Sequence, residues 1–293
     1  MFEGFTLETV EATDGGIRLR VGGSGPPLLL LHGHPRTHTT WHEVAGMLRT
    51  GYTVVCPDLP GFGGSFKPID RPDHANSSKR AKAQALVEMM RRLGHDTFGV
   101  AGHDRGSYVA FRMTMDHPER VQRLAVLDGV PILEALDHCR ADFARRWWHW
   151  FFYAQPAKPE RAIGADPLAW YGGSREAMGE ENFADFIRAI SDPVTIHTMI
   201  EDYRAGLSVD AQHDREDRAQ GRRIRCPMLA LWSERDDLPD LYGDVVAVWK
   251  RWADDVRGAS ISSGHHMAEE APAELAQALD DFFRGSRNKC LPS

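Results

Sequence analysis

The stretch Val100 to Arg112 reads VAGHDRGSYVAFR, and at its centre an aspartate, Asp104, stands between Gly102 and Gly106. The apolar run FGVAGH precedes it and SYVAFRMTMDHPERV, with apolar residues at helical spacing, follows it. Strand, tight elbow and helix are the expected order. Glycines relieve the Cβ clashes of such a turn and hold the residue between them at the mouth of a sheet, on a helix N-terminus. The backbone N–H after that residue is then placed to stabilise developing negative charge. The plainer use of Asp104 is as the N-cap of the helix.

The rest of the chain fits the architecture this elbow requires. Short apolar runs at Pro27–His32, Tyr52–Asp58, Phe98–His103, Val121–Asp128, Pro227–Trp232 and Val256–Ser262 alternate with helical patterns such as SKRAKAQALVEMMRRLG and APAELAQALDDFFRG. That alternation predicts an α/β fold with a mostly parallel central sheet and helices on both faces. It stops from about Pro131 to Arg225, where helical, aromatic-rich segments including ARRWWHWFFYAQP take over. The expected division is a core domain of residues 1–130 and 226–293 with an inserted helical cap of residues 131–225, which suits a chain of 293 residues.

Charge and cysteine usage narrow the function classes. Lys+Arg 35 against Asp+Glu 42 gives a formal net charge of -7 without a basic stripe, which argues against nucleic acid. The start MFEGFTLETVEATDGG lacks a secretory pattern and no apolar run is of spanning length, so a cytoplasmic protein with no membrane partner is expected. Cys56, Cys139, Cys226 and Cys290 are far apart and form no C-x-x-C pair, so no disulfide framework or zinc site is expected. No metal or organic cofactor is implied. The expected partner is a small-molecule substrate, and a homodimer stays open.

Two further motifs surround the elbow. LLLLHGHPRTHTTW is a strand ending in His-Gly-x-Pro, whose loop offers the backbone N–H of His34 as a second donor facing Asp104. SISSGHHMAEEAPAEL is a late strand, a loop and a helix, the place for a base; His265 is the candidate and His266 the near alternative. Its acid partner is either Asp128, ending the strand RLAVLD, or Asp236, in the loop LWSERDDLPD.

Together these residues resemble the α/β-hydrolase superfamily, and within it the fluoroacetate and haloacetate dehalogenases. The likeness runs along nearly the whole chain, through HGHPRTHTTWHEVA, PDLPGFGGSFKP, GHDRG, MDHPERV, LAVLDGVP, WWHWFFYAQP, IGADP and DYRAG. It implies an α/β-hydrolase fold with Asp104 as nucleophile, Asp128 as triad acid and His265 as base. It further implies His34 and Arg105 as oxyanion donors, Arg105 as a carboxylate anchor, and His149, Trp150 and Tyr203 as the halide-binding donors. Without the resemblance, WWHW reads as ordinary helical core and Arg105 as a structural ion pair.

The chemistry suits these residue types. A carboxylate can displace halide from an sp3 carbon and leave an ester that a His-activated water hydrolyses, whereas an alkoxide would leave a stable ether. A guanidinium beside the nucleophile pairs bidentately with an anionic substrate. The chain departs from the family's D-R-x-x-R pattern, because Tyr108 stands where the second carboxylate-binding arginine is expected. Losing that clamp costs about 1.5–3 kcal/mol of carboxylate binding, and Arg36 and Arg112 are the remaining candidates to compensate. A second departure is His34, where the family commonly has an aromatic residue.

The expected function is thus a hydrolytic dehalogenase acting on a short 2-halocarboxylate. An epoxide hydrolase is the alternative, using the same Asp-His-Asp machinery with Tyr203 and either Tyr153 or Tyr171 activating the ring oxygen. A non-catalytic binding protein on the same fold is a third reading that the apparently complete triad disfavours.

Overall fold

The computed structural model describes residues 1–285; Cys290 lies outside them. Eight strands form one sheet in the order β1-β2-β4-β3-β5-β6-β7-β8. They are β1 Phe5–Ala12, β2 Gly15–Gly23, β3 Pro27–Leu31, β4 Thr53–Pro57, β5 Phe98–His103, β6 Val121–Leu127, β7 Met228–Ser233 and β8 Val256–Ile261. The strands from β3 to β8 pair in parallel, while β1 and β2 form an antiparallel hairpin whose second strand joins β4. The six runs read as strands are all present. The hairpin was missed, because its exposed, polar residues do not form an apolar run: Thr6 to Thr9 all face solvent.

The central strands are apolar for a physical reason. Every residue of β5 is buried, as are the four leucines Leu28–Leu31 of β3, because a parallel strand is covered on both faces. Each such leucine contributes about 1.5–3 kcal/mol by leaving water. On one face α2 (Lys79–Arg92) and α3 (Arg105–Asp116) pack through Leu86, Met89, Val109 and Met113. On the other, α1 (His42–Leu48) and the helix Pro272–Phe283 pack through Val44, Leu48, Leu275 and Leu279.

Register brings the loops to one place. Leu31 pairs with Gly102, His103 with Leu127, Leu127 with Leu231, and Leu231 with Ala259. The carboxyl ends of five neighbouring parallel strands are therefore level, and the loops after them form one rim, where open α/β sheets place their ligands. Between β6 and β7 the chain is helical, from Ile132 to Ala219. Among the described residues no helix is long and apolar enough to cross a membrane. Cys56 is buried, Cys139 exposed and Cys226 half-buried, and all three are free thiols.

Candidate active site

Asp104 sits on the elbow between β5 and α3 with φ 49° and ψ -117°. A positive φ is costly for a non-glycine residue, and the neighbouring glycines make it attainable. A Cβ on Gly102 would collide with the Gly106 backbone, and one on Gly106 with the carbonyls of Leu31 and His32. The N-cap use is not realised: the Asp104 side chain accepts no cap hydrogen bond from its own helix. Its Oδ1 instead accepts the backbone N–H of His34 at 2.6 Å.

His265 faces the other carboxylate oxygen, its Nε2 3.9 Å from Asp104 Oδ2. It stands on the loop after β8, which Glu270 holds in shape by accepting the backbone N–H groups of Gly264 and His266. His266 does not reach Asp104, and its buried Nδ1 has no partner. Both candidate acids reach His265. Asp236 Oδ2 is 2.7 Å from Nδ1, whereas Asp128 Oδ2, the acid the resemblance implies, is 3.6 Å away. Burial opposes the protonated imidazole, but hydrogen bonds to Asp128 and Asp236 and the charge of Asp104 outweigh it and raise His265 well above its ordinary range.

The helical segment closes over this centre. His149 and Trp150 come from the helix Trp148–Tyr153, and Tyr203 from the helix Pro193–Ala205, which Asp192 caps by accepting the N–H groups of Val194 and Thr195. The Tyr203 ring lies 5.7 Å from His149 and 6.4 Å from Trp150, so the structure brings the three expected donors together. Burial outweighs the attraction of Asp104 and, helped by the like charge of Arg105, pushes the His149 imidazole down to about 4. It is a neutral donor at physiological pH. A cavity of 210 Å³ lies between this segment and the sheet, lined by Asp104, Tyr108, His149, Trp150, Asp236 and His265 among others. That is below the range typical of drug-sized ligands and suits a short one.

Arg105 is placed differently from expectation. It is fully buried, its Nε 2.5 Å from Asp202 Oδ2 and one Nη2 hydrogen on the Asp202 carbonyl, while Nη1 has no partner. The bidentate grip expected of a guanidinium is therefore largely spent on Asp202, and only the buried Nη1 is without a partner. Tyr203, Tyr108 and Trp150 enclose the group, with ring centroids 4.1, 5.0 and 5.5 Å from Cζ. Tyr108 presents an aromatic wall where a second arginine was expected. Arg36 pairs with Glu269, and Arg112 with Asp116, Asp214 and Asp217. None of the three arginines is among the residues lining the cavity, although Arg105 is enclosed by its wall residues Tyr108 and Trp150.

Behind Arg105 lies a group of charges that the sequence reading did not single out. Lys82 Nζ is 2.5 Å and Lys79 Nζ 3.0 Å from the Asp202 carboxylate, and Lys79 also meets Asp210 at 3.2 Å. Asp210 comes from the wider π turn Gly206–Asp210 that continues the Tyr203 helix. All five side chains are buried, with three positive charges against two negative. The signal was in α2: Lys79 and Lys82 share the stripe of Leu86 and Met89, where an outward-facing lysine would not stand.

His34 adds an unpaired polar group. Both its ring nitrogens lack partners and it is packed among Tyr171, Tyr203, Tyr153 and Phe62. Burial, and then nearby His149 and Arg105, hold it well below the usual imidazole range and so neutral.

An aspartate on a nucleophile elbow, an imidazole after the last strand and a helical segment inserted after β6 are features of α/β hydrolases. A family model for the alpha/beta hydrolase fold matches residues 26–272, and the chain belongs to that superfamily. Within it the chain belongs with the fluoroacetate dehalogenases: it is 40% identical over 297 residues to the fluoroacetate dehalogenase of Burkholderia sp, covering 98% of this chain and 97% of the relative. It is also 32% identical to a soluble epoxide hydrolase of Corynebacterium sp. (strain C12), covering 89% of this chain and 91% of that one. A crystal structure of an α/β hydrolase from Nostoc sp PCC 7120 superimposes with a TM-score of 0.93 at 43% identity, covering 97% of this chain and all of the other.

Proposed function

We propose that this hydrolase cleaves the carbon–halogen bond of a short 2-halocarboxylate through an ester on Asp104. The reading is carried by one arrangement: a carboxylate at the elbow, held by the His34 N–H at 2.6 Å and faced by the His265 imidazole at 3.9 Å. Asp104 attacks the carbon bearing the halogen, the carbon–halogen bond breaks and halide leaves with the bonding pair. Donors from His149, Trp150 and Tyr203 receive that charge, and residues 131–225 act as the cap that excludes water. Arg105 Nη1 holds the substrate carboxylate.

In the second step His265 takes a proton from water, whose oxygen attacks the ester carbonyl carbon of Asp104. The N–H groups of His34 and Arg105 stabilise the oxyanion. The ester carbon–oxygen bond breaks, the protonated imidazole returns a proton to the leaving alkoxide, and a 2-hydroxycarboxylate departs. The net change consumes one water and releases halide and one proton.

Epoxide opening is a second reading. Tyr153 and Tyr203 have ring centroids 4.8 Å apart, close enough to serve one ring oxygen together. Incubation with fluoroacetate, chloroacetate, 2-halopropionates and a set of small epoxides decides between the two. Halide release with the matching hydroxy acid is expected; diol formation without halide release overturns the first reading.

A further inference from the structure

His265 has two carboxylates at its Nδ1 face, and they are built differently. Asp128 follows β6 with a positive φ of 46°, and β7 packs against both its oxygens: Ser233 donates its backbone N–H to Oδ1 at 2.8 Å, and its hydroxyl lies 2.5 Å from Oδ2 and 2.6 Å from the Gly264 carbonyl. Its side chain is 2% exposed. A strained backbone with both oxygens held leaves it little freedom to close the 3.6 Å to the imidazole. Asp236 stands one loop further on, after β7, with a side chain 28% exposed. Its Oδ1 accepts the Asp237 N–H at 2.8 Å and its Oδ2 lies 2.7 Å from His265 Nδ1. The single Nδ1 proton has one well-formed acceptor, and it is Asp236.

We propose that Asp236 is the positioning carboxylate that orients His265, and that Asp128 is a second, fixed acid whose charge supports the same imidazole from behind. The site then runs on two acids and one base, drawn from two different loops of the rim. This rests on the reading of His265 as the base of the proposed reaction.

The arrangement has a consequence for the order of steps. His265 is surrounded by the carboxylates of Asp104, Asp128 and Asp236, with His103 and His266 at ring distances of 4.8 and 5.4 Å and Asp237 and His149 beyond. Burial, followed by the protonated neighbour His265, lowers His103 to about 3, so it adds no positive charge. Esterification removes one of the three negative charges from the group and favours the neutral imidazole the second step needs. Asp236 keeps Nδ1–H oriented after that loss, and Asp128 keeps a negative charge beside the imidazole.

The test compares Asp236→Asn, Asp128→Asn and the double variant, in the full-length enzyme. Asp236 is on a partly exposed loop, and circular dichroism with thermal melting verifies that each variant folds. In substrate-free enzyme with 15N-labelled histidine, Asp236→Asn is expected to shift the His265 Nδ1–H resonance and lower the imidazole's titration midpoint; Asp128→Asn is expected to lower the midpoint but keep the hydrogen-bonded resonance. In single-turnover assays both single variants are expected to release halide at the wild-type rate and hydrolyse the ester about 10- to 100-fold more slowly, against at least about 10³-fold for the double variant. An unchanged resonance and rate in Asp236→Asn overturns the proposal, as does an Asp128→Asn variant as slow as the double. If the wild type releases no halide, the dehalogenase reading fails while the resonance measurement still decides the role of Asp236.

Discussion

Arg105 and Asp202 are joined inside the protein by a 2.5 Å contact from Nε to Oδ2, so the cation beside the nucleophile elbow is fixed before any substrate arrives. The same carboxylate holds Lys79 and Lys82. Burial disfavours the charged carboxylate, yet the three cations keep Asp202 well below the usual carboxylate range. Asp202→Asn keeps the shape and removes the charge, leaving three buried cations with Asp210 alone. A loss of about 3–5 kcal/mol is expected, read from urea unfolding at neutral pH.

If Arg105 anchors a carboxylate as proposed, Lys82 makes that affinity depend on pH. Burial outweighs its attraction to Asp202 and lowers it to about 8. Below that pH the lysine is charged and the five-group cluster carries one net positive charge; as pH rises through it, that excess disappears. Inhibition by acetate is expected to weaken about tenfold between pH 7 and 9, and the pH dependence to vanish in Lys82→Met.

Asp104→Asn removes the proposed attacking carboxylate and keeps the side chain's shape at the elbow. A fall in turnover of at least about 10³-fold is expected with an unaltered melting temperature. In His265→Asn the first step proceeds and the second stops, so mass spectrometry of the intact protein after mixing with substrate is expected to find the ester mass added on Asp104.

The proposed halide contact of Trp150 is tested through the leaving group. Trp150→Phe keeps a ring against Tyr108, now centred 6.0 Å away, but deletes the indole N–H. Because fluoride leaves worst unaided, release from fluoroacetate is expected to fall about tenfold to a hundredfold, and release from bromoacetate much less. Equal losses for both would assign the indole to packing.

Restoring the missing clamp tests specificity. Tyr108→Arg adds a second guanidinium to the cavity wall, about 1.5–3 kcal/mol of carboxylate binding, and a KM for fluoroacetate roughly tenfold to a hundredfold lower is expected. The variant is also expected to melt earlier without ligand, since the new charge enters where the Tyr108 ring now lies 5.0 Å from the buried Arg105 guanidinium.

Much of this molecule is legible in the chain because its central strands are buried on both faces and so read as apolar runs. The hairpin β1-β2 was not legible, since the edge strand β1 carries exposed residues such as Glu8 and β2 carries charged ones such as Arg18, which pairs with Asp58 and Asp185. The site divides in the same way. Asp104, His34 and His265 stand at turns with their own local signatures. The competition between Asp128 and Asp236 turns on about an ångström between two loops 108 positions apart in the chain at their acids. Asp202 pairs with three residues on two other helices, Lys79 and Lys82 of α2 and Arg105 of α3, and no local pattern announces such partners.

The excess positive charge of the cluster behind Arg105 does not distinguish what enters from what leaves. In the proposed reaction the carboxylate is untouched, so the hydroxy acid carries the same handle into the exit as the halo acid brought in. In that reading the feature that captures a small anion would also retain the spent one, and surrendering it to water would limit throughput.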